Sequence, residues 1–278
     1  MSSKTAVDIR GKWALVTGAS SGIGQALAQQ LASCGAHLVL TARRIDRLNL
    51  LAEELRAKHD VQVETFQMDL TDPGAPDSLY TFTAERDLPI DVLVNNAGVG
   101  HYGEFCKSDV NEQLAMIQLH CSAVLHITHR YLQAMIDRRS GYILIVATTS
   151  LIPAPYLTTY AATKGFDLLF AEGLAEEVAH YGVRVSALCP GPTQSEMVIL
   201  ADGTSSSSTH KLQDAKEVAT RAIQGLLAGR KWIRPSLGAW LIANLPRILP
   251  RGTVSGATER HYRPDTINAM AAQKTKGV

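Results

Sequence analysis

The chain has 278 residues, a formal net charge of +1 and 19 % charged residues, fewer than the ~25 % usual for soluble domains. This near-neutral charge excludes the strong field that draws a protein to nucleic acid or to an anionic membrane. No apolar run reaches the ~18 residues that a membrane span needs, and residues 1–10 lack the apolar core of a signal peptide.

The cysteines are scattered and show no metal-ligand spacing. They are Cys34, Cys106, Cys121 and Cys189, and no Cys-x-x-Cys occurs. We therefore expect reduced, mostly buried thiols in a cytoplasmic protein, and no metal site.

A buried strand and a glycine-rich turn open the chain. Residues 13–17, Trp-Ala-Leu-Val-Thr, form a short apolar run typical of a buried strand, and helical spacing begins at Gln25. Between them lies Gly-Ala-Ser-Ser-Gly-Ile-Gly. Glycines let a backbone approach phosphates, and a helix N-terminus offers N–H groups and a positive dipole end. The stretch predicts a pyrophosphate site, with a plain glycine-rich turn as the alternative.

Two arginines follow the second predicted strand, which covers residues 37–41. Dinucleotide folds that prefer NAD place an acid near this point, on the ribose hydroxyls. A guanidinium instead suits the 2′-phosphate of NADP, which it binds through a planar fork. We assign Arg43 to that phosphate. Arg44 has the alternative interpretation of a basic first turn of the helix 45–58.

Polar side chains also follow the next two predicted strands, at 61–66 and 90–94. Asp69 lies at a strand end, where an open parallel sheet binds its ligand. It can accept from an adenine amino group, cap the next helix at 72–86, or do both. Residues 95–98, Asn-Asn-Ala-Gly, suggest side chains that tie down the sheet edge and a backbone close to a ligand, although Asn also favours turns.

The second half of the chain continues the alternation of helices and strands. Helical patterns cover residues 111–138, 160–180 and 214–228, and apolar runs predict strands at 143–147, 183–188 and 231–234. No repeat or linker divides the chain, so we predict a single domain, 1–278, with one parallel sheet covered on both faces by helices.

Two segments are expected to lie over the site. Residues 198–212 include a serine run and are predicted to form a mobile substrate loop. Residues 236–278 are predicted to form a C-terminal extension that covers the pocket or a subunit contact. A membrane-surface helix at 237–249 is the alternative for part of that extension.

Tyr160 and Lys164 stand four residues apart in a helical pattern and therefore share one face of the helix. A free tyrosine, with a pKa near ~10, is a poor base at neutral pH. An ammonium beside it stabilises the phenolate and lowers that pKa, so the pair can exchange a proton with a substrate oxygen. The alternative is an ordinary exposed turn, because Tyr-x-x-x-Lys occurs in many unrelated helices.

Taken in order, these stretches resemble the short-chain dehydrogenase/reductase family in its short-subunit form. The resemblance rests on residues 17–24, Asp69, 95–98, Tyr160 with Lys164, and Pro190-Gly191 with Thr193, and it runs from about residue 10 to 235. It implies a single-domain, Rossmann-type, doubly wound parallel sheet of about seven strands. It also implies an NADPH-dependent oxidoreductase that transfers hydride between a nicotinamide and a small-molecule carbonyl or alcohol substrate.

The resemblance implies a role for each matched residue. Tyr160 is the acid/base, Lys164 lowers its pKa and holds the nicotinamide ribose, and Thr193 contacts the nicotinamide amide or a phosphate. NADP(H) is expected rather than NAD(H), because Ala42-Arg43 is similar to the NADP-preferring members. The expected cofactor-binding residues are Gly18, Ser20, Ser21, Gly22, Ile23, Gly24, Arg43, Arg44, Asp69, Leu70, Asn96, Ala97, Gly98, Tyr160, Lys164, Pro190, Gly191 and Thr193. A homodimer or homotetramer is expected, with two long helices packed between subunits.

The fifth strand departs from the family pattern, in which a serine at its end orients the substrate oxygen. Alignment along the strand puts Thr148 there, whereas counting back from the tyrosine puts Ala147 there. We choose Thr148, because strand ends are fixed by the sheet and loops absorb deletions. A bulge would bring Thr149 or Ser150 to the same place.

A second departure lies in the long predicted helix, where His120 stands in place of the family's asparagine. A histidine can donate and accept, and so can relay protons; the alternative is a structural histidine in the core. His120 and Thr148 are thus candidate catalytic residues beside Tyr160 and Lys164. These two changes are also the only support for an alternative function, a cofactor-binding sensor or scaffold with little catalysis.

Overall fold

The computed structural model describes residues 8–148, 152–194, 212–235 and 249–263. Seven strands form one sheet in the order β3-β2-β1-β4-β5-β6-β7. They are β1 (Trp13–Thr17), β2 (His37–Ala42), β3 (Val63–Gln67), β4 (Ile90–Asn95), β5 (Gly141–Val146), β6 (Val183–Leu188) and β7 (Trp232–Ile233). The helices are α1 (Gly22–Ser33), α2 (Ile45–His59), α3 (Ala75–Ala84), α4 (Val110–Ile117), α5 (Ala123–Asp137), α6 (Thr158–Glu177), α7 (Ala215–Leu227) and α8 (Arg251–Tyr262).

Every strand pair in the sheet is parallel, and helices supply the crossovers that parallel strands require. The strands read as continuous apolar runs because both faces are covered. Leu40 and Leu144 belong to the core on one face, and Leu15 and Ile143 to the core on the other. The prediction of a doubly wound, Rossmann-type sheet of about seven strands is confirmed.

The strand order indicates at which edge of the sheet a ligand binds. From β1 the chain builds outward through β2 and β3, and it then returns to β4 on the other side of β1. In open α/β sheets, ligands bind outside the carboxyl ends of the strands at such a reversal. The glycine-rich turn after β1 and residues 95–98 at the end of β4 meet at that point.

Several predicted helix boundaries change for local reasons. The helix predicted at 72–86 begins only at Ala75, because Asp72 accepts from Gly74 N (2.8 Å) in the turn before it. The helix predicted at 111–138 is continuous but contains a π-helical turn, Gln118–Ser122. Such turns are rare and are found frequently at functional sites; this one carries His120.

The prediction of mostly buried cysteines is wrong. Cys189 is buried, Cys34 and Cys121 are intermediate, and Cys106 is exposed; all four are free thiols. Cys106 lies in a short 3₁₀ turn on the surface, where no strand or helix face directs it inward.

The two segments expected over the site are described only in part. The predicted substrate loop lies outside the described residues except for its last member, Leu212. Of the predicted C-terminal extension, residues 249–263 are described, and they contain α8, a helix that the sequence patterns did not predict. Across the described part of the chain, no helix has the length and apolar character to cross a bilayer.

Candidate active site

The glycine-rich turn folds closely against the end of β4. Gly18 has φ +68°, and a Cβ there would lie 2.8 Å from Ala97 Cα. A Cβ on Gly24 would lie 2.3 Å from the Gly18 carbonyl oxygen, closer than real Cβ atoms approach. These two positions therefore require glycine, because any side chain would separate the turn, α1 and the β4 end.

Hydrogen bonds fix the two strand ends to each other. Thr17 Oγ1 accepts from Asn96 N (2.9 Å) and Ala97 N (3.1 Å). The Asn96 side chain donates back to Thr17 O (2.9 Å) and Gly18 O (3.3 Å), while Asn95 Nδ2 donates to Thr128 Oγ1 on α5. The amides thus tie down the sheet edge, which is one of the two roles predicted for them.

The N-terminus of α1 fits an anionic group. Its N-cap, Ser21, makes no side-chain capping hydrogen bond, and the first turn carries no acidic residue. The first N–H groups of a helix have no intrahelical acceptor and lie at the positive end of the dipole. The residues present therefore fit the pyrophosphate of a dinucleotide at this edge.

The two arginines after β2 make different contacts. Arg44 donates to Ser21 Oγ (2.9 Å) and Ser20 Oγ (3.2 Å), and it is also the N-cap residue of α2. Arg43 is exposed, and its guanidinium lies 3.9 Å from Asp69 Oδ2. Both cations therefore border the glycine turn, and Arg44 makes the direct contacts with its serines.

Asp69 orders a turn and does not cap the next helix. Its Oδ1 accepts from Thr71 N (3.0 Å) and Thr71 Oγ1 (2.9 Å), whereas the N-cap of α3 is Gly74. The capping alternative is thus wrong, because the turn occupies the residues between Asp69 and the helix. Leu70 beside it has its side chain in the core.

Tyr160 and Lys164 lie in the first two turns of α6, and Lys164 is tied to the end of β5. Lys164 Nζ donates to Val146 O (2.7 Å) and to Asp167 Oδ2 (2.9 Å). Lys164 is 5 % exposed and Asp167 is fully buried. The interpretation of this stretch as an ordinary exposed turn is therefore wrong.

The pKa of Tyr160 differs in direction from the sequence-based expectation. Burial raises it, the Lys164 ammonium lowers it, and the Asp167 carboxylate raises it further; the net direction is upward. Lys164 thus lowers the Tyr160 pKa, as predicted, but its effect is smaller than the increase caused by desolvation. Asp167 was missed, although its position three residues after Lys164 on one helix face was a signal.

His120 joins the end of β4 to α6 through two fixed contacts. Its Nε2 accepts from Val99 N (3.0 Å), and its Nδ1 lies 2.8 Å from Thr163 Oγ1. Because a backbone N–H only donates, the neutral ring must carry its proton on Nδ1 and donate it to Thr163. Thr163 in turn donates to Tyr160 O (2.9 Å). These contacts favour the structural alternative; the proton-relay role stays a prediction.

The burial of His120 makes the fold acid-sensitive. Burial, aided by the Lys164 cation, lowers the His120 pKa from 6.5 to about 2. Below pH 6.5, therefore, His120 is protonated in the unfolded chain but stays neutral in the folded state. The stability that His120 contributes is complete above pH 6.5 and is lost as the pH falls. At pH 5 the loss amounts to about 2 kcal/mol of unfolding free energy.

Urea unfolding at pH 7.5 and pH 5.0 measures this effect. Wild type and His120→Asn should both lose unfolding free energy between pH 7.5 and pH 5.0. The loss in His120→Asn should be about 2 kcal/mol smaller than the loss in the wild type. His129→Asn, at an exposed position on α5, should keep the wild-type difference. Equal pH dependence in all three proteins would contradict the neutral, buried state of His120.

Thr148 lies just past the end of β5, beside the Tyr160–Lys164 face. Val146 O contacts the Lys164 ammonium, and two residues extend the chain by at most ~7 Å. Ala147 is buried, and its N–H continues the pairing to Leu188 O (2.9 Å), whereas Thr148 is partly exposed. Ala147 therefore lies in the core, and the assignment of the substrate-orienting hydroxyl to Thr148 stays a prediction. Thr149 and Ser150 lie outside the described residues.

The break after β6 places Thr193 against a second segment. Thr193 is buried, donates to Gly191 O (2.8 Å) and forms a bridge with Gln213. Gln213 also accepts from Gly191 N through its side chain (3.3 Å). The stretch from Gly191 to Thr193 is thus fixed to Gln213.

Three segments meet near Tyr160, and the third, α8, belongs to residues 236–278, the extension predicted to cover the pocket or a subunit contact. Tyr102 Oη, from the loop after β4, donates to Tyr262 O on α8 (2.7 Å). Tyr156 Oη, just before α6, donates to Glu259 on α8 (3.1 Å). Burial raises the pKa of Tyr262, and Tyr160 raises it further, so the two phenols are close enough to interact. Helix α8 therefore lies over the loops beside the Tyr160–Lys164 face of α6.

The fold and the site together define a dinucleotide-binding α/β protein with a buried lysine and a half-buried tyrosine on one helix at the ligand edge of its sheet. A family model described as short chain dehydrogenase matches residues 12–203. The chain therefore belongs to the short-chain dehydrogenase/reductase family and is an oxidoreductase by class. The prediction of this family is confirmed.

Individual relatives agree with this placement. An uncharacterized oxidoreductase of Staphylococcus saprophyticus is 33 % identical over 79 % of this chain and 93 % of that protein. A very-long-chain 3-oxoacyl-CoA reductase of Aspergillus clavatus is 35 % identical over 63 % of this chain and 52 % of that protein, so the chain spans about half of its length. A short-chain dehydrogenase from Sphingobium yanoikuyae, solved in complex with NADPH, superposes with a TM-score of 0.76 at 29 % identity, over 81 % of this chain and 88 % of that one.

Proposed function

We propose that this protein is an NADPH-dependent carbonyl reductase or alcohol dehydrogenase in which Tyr160 is the general acid/base. One observation carries the proposal: the Tyr160–Lys164 pair is fixed to the end of β5 by the Val146 contact, at the same sheet edge as the glycine turn. The reaction acts on a carbonyl or alcohol oxygen, which Tyr160 protonates or deprotonates and Thr148 binds through its hydroxyl.

A bound nicotinamide dinucleotide supplies or accepts the hydride. The turn of Gly18 to Gly24 holds its pyrophosphate, and the Lys164 ammonium binds its ribose. Asn96, Ala97 and Gly98 border it at the end of β4, and Pro190, Gly191 and Thr193 at the end of β6. The contacts of Asn96 and Gly191 described above support these roles, because they fix the backbone along the edge where the cofactor lies.

The NADP form is favoured by the arginines after β2. An exposed guanidinium at Arg43 and the Arg44–Ser20–Ser21 cluster supply positive charge and hydroxyl donors beside the glycine turn. The similar Sphingobium yanoikuyae protein was solved with NADPH. A 2′-phosphate between these groups gains charge-assisted hydrogen bonds that the hydroxyl of NAD cannot replace.

Removing either arginine is expected to weaken NADPH selectively. Arg43→Ala and Arg44→Ala should each cost ~1.5–3 kcal/mol of NADPH binding free energy and leave NADH nearly unchanged, because charge-assisted hydrogen bonds to the phosphate are lost. Titration calorimetry with both cofactors measures the difference. Lys58→Ala removes the same charge ~20 Å away, in the last turn of α2, and should change neither affinity. Equal losses for both cofactors would refute the phosphate role.

The exposed apolar side chains of α4 support a homodimer or homotetramer. Leu114 is 57 % exposed and Ile117 is 42 % exposed, three residues apart on one face, and Leu169 of the neighbouring α6 is also exposed. Leu114→Glu should lower the molar mass measured by light scattering to that of a smaller assembly. Leu50→Glu, at an equally exposed leucine of α2, should not. A wild-type mass in Leu114→Glu would remove the support for this interface.

A turnover panel decides the function as a whole. Purified protein with NADPH or NADH is assayed over varied carbonyl compounds, including 3-oxoacyl thioesters, the substrate class named for the Aspergillus clavatus relative. Turnover with NADPH is expected; thermal stabilisation by NADPH without any turnover would favour the sensor alternative. A cytoplasmic location is part of the proposal, and the free state of all four cysteines supports it.

A further inference from the structure

A buried ion pair, Lys164 with Asp167, lies on the same helix as the proposed acid/base tyrosine. Lys164 Nζ donates to Asp167 Oδ2 (2.9 Å), and both side chains are almost completely buried, with side-chain exposures of 6 % and 0 %. The second carboxylate oxygen, Asp167 Oδ1, has no hydrogen-bond partner within the described part of the chain. Asp167 therefore makes its polar contact there with Lys164.

The pair is held together because neither charge is tolerated alone. Burial of an isolated carboxylate or ammonium is strongly unfavourable, and removal of one member of a buried pair destabilises more than removal of both. Asp167 thus compensates the charge of Lys164 inside the protein. This compensation is needed whether or not a ligand is bound.

The contacts of Lys164 also fix its direction. A lysine ammonium has three N–H donors, and Val146 O and Asp167 Oδ2 take two of them. These acceptors lie on different elements, the end of β5 and the third turn of α6. The direction of the third donor is then fixed by the other two.

The carboxylate also changes the field at the Tyr160 phenol. A cation near a phenol favours the phenolate, whereas an anion beside that cation cancels part of its effect. Asp167 is therefore in a position to keep the phenol protonated, which is the form that donates to a carbonyl oxygen.

We propose that Asp167 is a positioning residue that anchors the Lys164 ammonium and offsets part of its charge, so that the Tyr160 phenol holds its proton more firmly than it would beside an unpaired Lys164. The proposal rests on the proposed function only in the role given to Tyr160. The titratable groups around the pair are Tyr160 on α6, His120 and Cys121 on the π-turn, and Tyr262, which faces Tyr160 from α8.

A phenol titration of the cofactor-free protein tests the charge effect. Phenolate absorbance is followed against pH in wild type and in Asp167→Asn, and each curve is corrected with its own Tyr160→Phe counterpart to remove the other tyrosines. The midpoint for Tyr160 should fall by about 1 pH unit in Asp167→Asn. Glu177→Gln, at an exposed carboxylate of the same helix, should leave it in place. An unchanged or higher midpoint in Asp167→Asn would overturn the proposal.

A thermal double-mutant cycle tests the anchoring if Asp167→Asn folds poorly. Lys164→Met and Asp167→Leu should each lower the melting temperature, and the double variant should melt no lower than either single variant. Additive losses would contradict the pairing. Neither measurement requires turnover, so inactivity of the wild type on every carbonyl would refute the proposed function and leave this result standing.

Discussion

Tyr160→Phe is expected to lower kcat by ~10²–10⁴-fold, the usual contribution of a positioned general acid. Phenylalanine keeps the ring and its edge-on contact with His120, whose ring centroid lies 5.9 Å away, and it removes only the hydroxyl. The substrate oxygen then lacks a proton donor while the surroundings are preserved. Steady-state kinetics with NADPH on any carbonyl found in the panel measures the loss.

The binding of NADPH distinguishes this result from a folding defect. Tyr160→Phe should bind NADPH within a few-fold of wild type, because the substitution leaves the glycine turn and the arginines unchanged. Tyr156→Phe is the matched control: its hydroxyl contacts Glu259 on α8, not the proposed reacting oxygen. It should retain most of the turnover. Wild-type turnover in Tyr160→Phe would refute the role of Tyr160 as the general acid.

Thr148→Ala is expected to lower kcat by up to ~10²–10³-fold, as when one oxyanion donor is removed. Thr148 follows β5, whose end accepts a hydrogen bond from Lys164. The proposed role of its hydroxyl is to share the substrate oxygen with Tyr160. Thr148→Ser should keep turnover within about tenfold of wild type, because it retains the donor that the argument requires. The same kinetic assay compares both variants.

The neighbouring hydroxyls provide the decisive comparison for Thr148. Thr149→Ala and Ser150→Ala should have small effects if the strand alignment is right. A silent Thr148→Ala together with a large loss in one of these two would move the substrate-orienting role along the chain. It would also show that the backbone bulges beyond β5.

The strands, their parallel arrangement and the family were predictable because they depend on local patterns. β1 and β6 begin and end where the apolar runs do, since strands covered on both faces tolerate few polar residues. The glycines at 18 and 24 signalled a close backbone approach, which the contacts with Ala97 and the Gly18 carbonyl now explain. Helix ends were less predictable, because single turns, such as the one at Asp72, decide them.

The sequence by itself determined which groups are available for catalysis: a tyrosine and a lysine on one helix face, a hydroxyl after β5, and arginines after β2. Only the tertiary structure decided their electrostatic state. Three features join different elements or depend on burial. They are the pairing of Lys164 with Asp167, the hydrogen bonds of His120 to Val99 and Thr163, and the position of α8 over the loops. A side chain's pKa follows from its desolvation and its neighbours in space, and no pattern along the chain contains either.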